Sequence, residues 1–196
     1  MIEVDGQTIL SRLVRALRPH VPRIHIVVGY REDIVTEYCS RYYRDVVLVR
    51  NPDFRSTNTA HSLRLGSVGF SNKVLYLDGD LIINEESLTR FIENSVKMRF
   101  LIGITPAKSS QAVFVSTQQN ENGDSIELKA FHRSPSAKYE WANVFSGPPN
   151  ILRDGSGYVF ESLQSILPAR AQELQLFEVD TSEDLERAIA GLSVKK

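Results

Sequence analysis

Through residue 104 the chain alternates short β-branched runs with helical apolar stripes, and this alternation restricts the fold more than any other feature. Ile9, Leu10, Leu13, Val14 and Leu17 recur at helical spacing, and Pro19 and Pro22 end that helix. The run Ile24, His25, Ile26, Val27, Val28 has the length and branching of a buried strand and stops at Gly29. A second helix carries Ile34, Val35, Tyr38, Cys39 and Tyr42 on one side. Residues 46–49 form a second strand closed by Asn51 and Pro52, and Asn58 or a neighbour caps a helix through Leu65. Val74 to Leu77 is a third strand, with Asp78, Gly79 and Asp80 just past its end. Asn84 caps the next helix, whose first turn holds Glu85 and Glu86 where carboxylates favour the helix dipole; residues 100–104 are a fourth strand. Strands joined by crossover helices run parallel, so this half predicts an α/β fold with a mostly parallel sheet and helices on both faces.

The spacing changes after residue 104. Residues 112–115 and 126–131 flank Asn122 and Gly123, the strongest short hairpin signal in the chain, so the sheet is expected to be mixed. Residues 134–154, rich in Pro, Gly and Ser around Trp141, read as a substrate-side loop region with one short strand. A helix over 158–166 and a last strand over 174–179 follow. Thr181, Ser182, Glu183 and Asp184 resemble a capping box ahead of a helix striped by Leu185, Ala188, Ile189 and Leu192. With no repeat or linker, residues 1–196 are expected to be a single domain.

Composition narrows the partners. A formal net charge of -1 provides no global field for nucleic acid or an anionic membrane. Cys39 is the one cysteine, which excludes an intramolecular disulfide, and its place on an apolar helix stripe reads as a buried thiol. No apolar run is long enough to span a bilayer and the N-terminus lacks a signal peptide's build, so a cytoplasmic location is expected.

In open α/β sheets ligands bind beyond the carboxyl ends of the strands, where Asp78, Asp80 and Asp180 all fall. Magnesium takes oxygen ligands, often one or two carboxylates plus substrate phosphates. Taken alone, spacing favours the plainer alternatives: Asp-Gly is a common turn, and Asp180 precedes a helix. Asn58 and Ser62, four apart, face the same side of a helix; Asn58 serves either as a substrate contact or as a plain cap. Arg55 is available to a phosphate or is simply solvated. His20, His25, His61 and His132 share no motif.

Several stretches, in order, resemble the nucleotidyltransferases of the sugar-phosphate, phosphocholine and phosphonate type. They are residues 1–10, then Val27 with Val28, Gly29 and Tyr30, then Asn51 with Pro52. Ser56, Thr57, Asn58 and Thr59 with Ser62 and Leu63 follow, then Leu77 through Asp80, and Glu178 through Thr181 with Glu183, Asp184 and Leu185. The likeness is weakest over 107–154. It implies a Rossmann-like fold of the nucleotide-diphospho-sugar transferase type. It also implies metal-dependent transfer of a nucleotidyl group, CMP preferred, from a nucleoside triphosphate to a phosphorylated or phosphonylated small molecule. The resemblance places Asp80 and Asp180 as the Mg2+ pair. Asn58, Ser62, Arg55 and Asp78 are expected at the nucleotide or substrate, Asp78 serving the turn or supporting the metal ligands; the family places acceptor-side residues at Glu140 with Trp141, and a core tryptophan is an equal reading of Trp141. Thr59 and His61 depart from the family, which often has Asn and an aromatic there.

Members of that family open with a strand and a glycine-rich loop carrying Arg, then a Pro-Lys pair, ahead of the segment that Ile2 to Leu10 resembles. Residues 1–196 offer no replacement for that phosphate cradle. Two strand edges are therefore expected to lie open, to be covered by a second copy or a partner, and turnover by these residues alone is expected to be slow. The alternative from another class is a non-catalytic ligand-binding or subunit-association module.

Overall fold

The apolar stripe of the first helix already decides how the two halves of the molecule are joined. In the computed structural model, which describes the chain except residues 109–111, 121, 122, 124, 134–136, 153–155 and 194–196, β1 (Glu3–Val4) and β2 (Gln7–Thr8) form a small hairpin. Asp5 and Gly6 make its turn with φ of 49° and 73°, the pair of left-handed residues that a two-residue hairpin needs. Thr8 then caps α1 (Ile9–Leu17) through the Ser11 amide. One side of α1 packs Leu10 and Val14 against Ile24, Ile26 and Leu48; another packs Ile9 and Leu13 against Ile82, Val179 and Ala188.

Next come β3 (His25–Val28), α2 (Glu32–Tyr42), β4 (Val47–Arg50), α3 (Thr59–Gly66), β5 (Val74–Leu77), β6 (Leu81–Ile83), α4 (Glu85–Val96) and β7 (Leu101–Pro106). Asn58 and Asn84 cap α3 and α4 as expected, and Cys39 is buried at 2% exposure, its thiol pKa raised by that burial. Beyond them lie β8 (Phe114–Gln119), β9 (Ile126–His132), β10 (Tyr139–Gly147), α5 (Val159–Gln164), β11 (Ala169–Glu173), β12 (Leu176–Glu178) and α6 (Ser182–Ser193). The hairpin β8–β9 is present; Asn122 of its turn lies outside the described residues, while Gly123 has φ of 75°.

The α/β class holds, but the mostly parallel sheet does not. The six-stranded sheet has the order β5-β10-β7-β11-β9-β8, and of its pairings only β7 with β11 is parallel. The other parallel pair, β3 with β4, is a separate two-stranded sheet. The reason lies in residues 107–138: they leave as a hairpin rather than a crossover helix, so the chain returns antiparallel and β10 inserts between β5 and β7. The loop expected over 134–154 is likewise corrected, since its middle is the nine-residue β10 at the heart of the sheet.

Helices cover both faces. Tyr76, Ile102, Ile104 and Phe145 face Ala60 and Leu63 of α3 and Val159 and Leu163 of α5. The alternate residues Leu75, Leu101, Ala142 and Val144 share a second core with Phe91 of α4. Between β3 and β5 no strand is paired among the described residues. α1 and α3 span the division, α3 seating so closely that a Cβ on Gly66 would come within 2.7 Å of Val27 Cγ2.

Candidate active site

β5 ends at Leu77, the chain turns through Asp78, Gly79 and Asp80, and β6 begins at once. β6 pairs antiparallel with β12, setting Leu81 opposite Glu178, and the Val179 amide donates to the Asp80 carbonyl at 3.1 Å. That short ladder fixes the backbone of both acidic segments. Oxygen atoms of Asp78, Asp80 and Glu178 all lie within 4.8 Å of one another.

A third element aims Glu178. β10 is in register with β7 at Trp141–Ile104 and again at Phe145–Ile102, so Ala142, Asn143 and Val144 face the single residue Gly103. This bulge puts Asn143 in the left-handed region at φ 53°, and its Nδ2 donates to Glu178 Oε1 at 2.8 Å. Bulges beside active sites commonly re-aim one side chain in this way. Gly103 tolerates the bulge because it has no side chain: a Cβ would meet Leu174 Cδ1 at 2.7 Å and the Val144 carbonyl at 3.0 Å.

The electrostatics are one-sided. Burial first, then the charges of Asp80 and Asp180, hold the Asp78 carboxyl at about 7. Glu178 is held at about 7 by desolvation and then by Asp180, Asp80, Asp78 and Glu140. Asp80 is raised by burial and by Asp180, against a lowering backbone hydrogen bond. Among the described residues no lysine or arginine makes an ion pair with Asp78, Asp80 or Glu178. Asp80 Oδ1 is buried with no hydrogen-bond partner. Several carboxylates this close, one with an orphaned buried oxygen, fit a hard divalent cation. Lys108 stands nearby: its amide donates to Glu140 Oε2 at 3.0 Å, and its ammonium donates to the Leu176 carbonyl and lies 4.8 Å from the Phe177 ring centre. Burial lowers its pKa, Glu140 raises it and Arg187 lowers it further.

Residues 1–158 match the MobA-like NTP transferase domain. The chain belongs to that family. Over 187 residues it is 23% identical to the bifunctional protein GlmU of Methanococcus vannielii, covering 90% of this chain but only 40% of that relative. Its fold is also that of UDP-glucose pyrophosphorylase from Acinetobacter baumanii, with TM-score 0.77 at 13% identity, covering 100% of this chain and 85% of the other. The inositol-1-phosphate CTP transferase from T. maritima superposes with TM-score 0.72 at 15% identity, covering 99% and 85%.

In this NTP transferase domain the acidic residues expected at the strand ends converge, but the tight trio is Asp78, Asp80 and Glu178. Asp180 lies outside that spacing, exposed, with its charge felt by all three. Of the two residues expected on the acceptor side, Glu140 couples electrically to Glu178, whereas Trp141 packs in the core with Phe131 at 6.1 Å. Asn58 has both ends of its amide engaged, accepting from the His61 amide and donating to the Gly157 carbonyl. Ser62 accepts from Asn51 Nδ2 at 3.0 Å, and Arg55 lies exposed over the Phe54 ring at 5.6 Å. Sequence reasoning missed Glu178, Asn143 and Lys108. Glu178 and Asp180 are two apart around buried Val179, which is the period of one strand face and was the available signal. Nothing in the sequence marks the other two.

Proposed function

We propose that this domain transfers a nucleotidyl group from a nucleoside triphosphate to a phosphorylated or phosphonylated small molecule, releasing pyrophosphate, with Mg2+ held by Asp80, Asp180 and their neighbours Asp78 and Glu178. The observation that carries the reading is the uncompensated carboxylate cluster at the strand ends of a MobA-like NTP transferase domain. An acceptor oxygen attacks the α-phosphorus, the bond to the bridging oxygen of pyrophosphate breaks, and no proton need be removed from an acceptor already ionised at neutral pH. A bound cation would relieve the repulsion between the two anions and stabilise charge in the transition state. The chain's part is to hold its carboxylates at fixed spacing, with Asn143 orienting Glu178 and Lys108 placing a positive charge beside Glu140. Arg55, Ser62 and the N-terminus of α3 with Asn58 would meet the nucleotide, and Glu140 the acceptor. Cytidylyl transfer is preferred on the residues around Asn58, and one structural neighbour is an inositol-1-phosphate CTP transferase. Transfer to a sugar phosphate comes next.

Thermal shift with each nucleoside triphosphate, with Mg2+ or with EDTA, tests this reading. A ligand at a hundred times its dissociation constant adds about 2.7 kcal/mol. Asp80→Asn is expected to remove the magnesium-dependent part of that shift and leave the unliganded melting nearly unchanged. No shift with any triphosphate would favour the second reading, a subunit-association module. That reading has one observation behind it: the facing edges of β3 and β5 carry no paired strand among the described residues. Such edges favour coverage by a second copy or a partner.

A further inference from the structure

Among the described residues β12 pairs with a strand on one side only, so its outer edge has to be held by something other than the sheet. The Asn84 amide donates to the Gln175 carbonyl at 2.8 Å, and the Val179 amide to the Asp80 carbonyl at 3.1 Å. Backbone groups alternate in direction along an antiparallel pair. Residues 175, 177 and 179 therefore face β6, while Leu176 and Glu178 turn their backbone away from it. Leu176 is 5% exposed, so an unpaired carbonyl there would cost free energy. A side chain supplies the donor. The Lys108 ammonium donates to the Leu176 carbonyl, reaches Thr105 Oγ1 at 3.4 Å and lies 4.8 Å from the centre of the Phe177 ring. A carbonyl, a hydroxyl and an aromatic face together use the three donors of an ammonium.

The same residue holds a second element. The Lys108 amide donates to Glu140 Oε2 at 3.0 Å, and the Ala107 amide donates to the Lys138 carbonyl at 3.1 Å, which fixes the segment leaving β7 to β10. Three residues beyond Glu140 the bulge of β10 delivers Asn143 to Glu178 Oε1. Lys108 thus joins the two elements that meet at Glu178. Its amide holds the β10 side and its ammonium the β12 side.

We infer that Lys108 is a positioning residue for the carboxylate centre: it pins the outer edge of β12 and so sets where Glu178 stands. The inference rests on the metal-dependent reading above and deepens it, since Lys108 acts through Glu178 and not by touching the cation. Coulomb's law alone makes the opposite forecast. A fixed positive charge repels a cation, so removing it would tighten metal binding. Positioning requires that binding weaken. The sign of the effect separates the two.

Mn2+ binding to the full chain, measured by calorimetry without nucleotide, tests this, with melting temperature in EDTA as the folding control. Lys108→Met keeps the length of the side chain and removes its charge. It is expected to weaken Mn2+ about tenfold, the lower end of what losing an outer partner of a metal ligand costs. Lys108→Arg, which keeps charge and donors, should retain most of the affinity. In a Glu178→Gln background Lys108→Met should cost almost nothing further, because the carboxylate it positions is gone. Should Lys108→Met misfold, Lys108→Gln carries the same expectations. Tighter or unchanged binding in Lys108→Met overturns the inference and leaves the metal site standing. A loss that Lys108→Arg does not rescue, or one equally large with and without the Glu178 carboxylate, overturns it in favour of a general loosening of the fold. A parent chain that binds no Mn2+ overturns both the inference and the metal site beneath it.

Discussion

Replacing Asp78 by Asn offers the sharpest single test of the site, because its effect on stability should change with pH and with metal. The carboxyl is held at about 7 against an ordinary value of 3.8, chiefly by burial and then by Asp80 and Asp180. Since the folded value lies above the unfolded one, the folded state binds the proton more tightly. Its contribution to stability is fully present below pH 3.8 and is lost as pH rises towards 7. At 1.36 kcal/mol per pKa unit the loss has a ceiling of about 4 kcal/mol, and relaxation and water entry bring the realised figure to about 2–4 kcal/mol. Asn keeps the shape and never ionises. Without metal, Asp78→Asn should therefore melt roughly 4–16 °C above the parent at pH 8, and close to it at pH 4.5.

A bound cation reverses the comparison. Mg2+ or Mn2+ at pH 8 should raise the parent's melting temperature and raise that of the variant much less. The measurement is a melting curve for both proteins from pH 4.5 to 8.5, in EDTA and in the divalent ion. Taking the difference between the two proteins cancels the titrations that do not involve Asp78; Glu178, whose carboxyl the Asp78 charge helps to raise, titrates lower in the variant and adds to the same difference. A variant destabilised equally at every pH, or a parent whose stability is flat between pH 5 and 8 relative to it, would refute the argument. Asp78 would then be an ordinary solvated turn residue.

Asn143→Gly removes the strain of a left-handed asparagine along with the bond to Glu178. Calorimetry with Mn2+ should show affinity falling roughly tenfold or more, while the melting temperature moves by only a few degrees. Gly103→Ala should cost about 1–3 kcal/mol in urea unfolding, because the new methyl meets the Val144 carbonyl and cannot displace it cheaply. Light scattering at micromolar concentration should show more than one copy, or a bound partner, covering the β3 and β5 edges; a stable monomer would mean that α1 and α3 suffice.

The fold was legible where apolar periodicity was clean. α1, β3, β4 and β5 announce themselves because each buries a continuous stripe or run against the core. β10 was hidden by its own bulge: residues 142–144 break the period-two pattern at the point where the strand crosses the sheet, so its composition reads as loop. β11 was hidden for a different reason, since Ala169, Arg170, Ala171, Gln172 and Glu173 lie between two strands yet carry little apolar bulk. Strand direction could not be read at all, because it depends on whether 107–138 crosses over or folds back. For the site, the rule that ligands gather at strand ends located Asp78 and Asp80. It passed over Glu178, which is the last residue of β12 and was read only as part of the strand over 174–179. Asn143 acts through a backbone dihedral, and no side-chain pattern encodes that.

The carboxylate cluster is held less by the large sheet than by the packing behind β12. β12 has three residues, pairs with β6 alone, and carries Glu178 at its end. What seats it is α6: Ala188 is fully buried against Val179, and Gly191 approaches Phe177 so closely that a Cβ would lie 2.4 Å from the ring. The start of α6 is fixed in turn by Thr181 and Asp184, which exchange hydrogen bonds from amide to side chain in both directions. A three-residue ladder has little stability of its own. The spacing of Glu178 and Asp180 from Asp78 and Asp80 is therefore set by how α6 docks, at a distance from the carboxylates and largely through apolar contacts. On the opposite side Asn143 fixes the remaining freedom of Glu178. The centre is thus clamped between a helix that positions the strand and a bulge that orients one carboxylate, and both clamps depend on a glycine, Gly191 and Gly103, that leaves room for its neighbour.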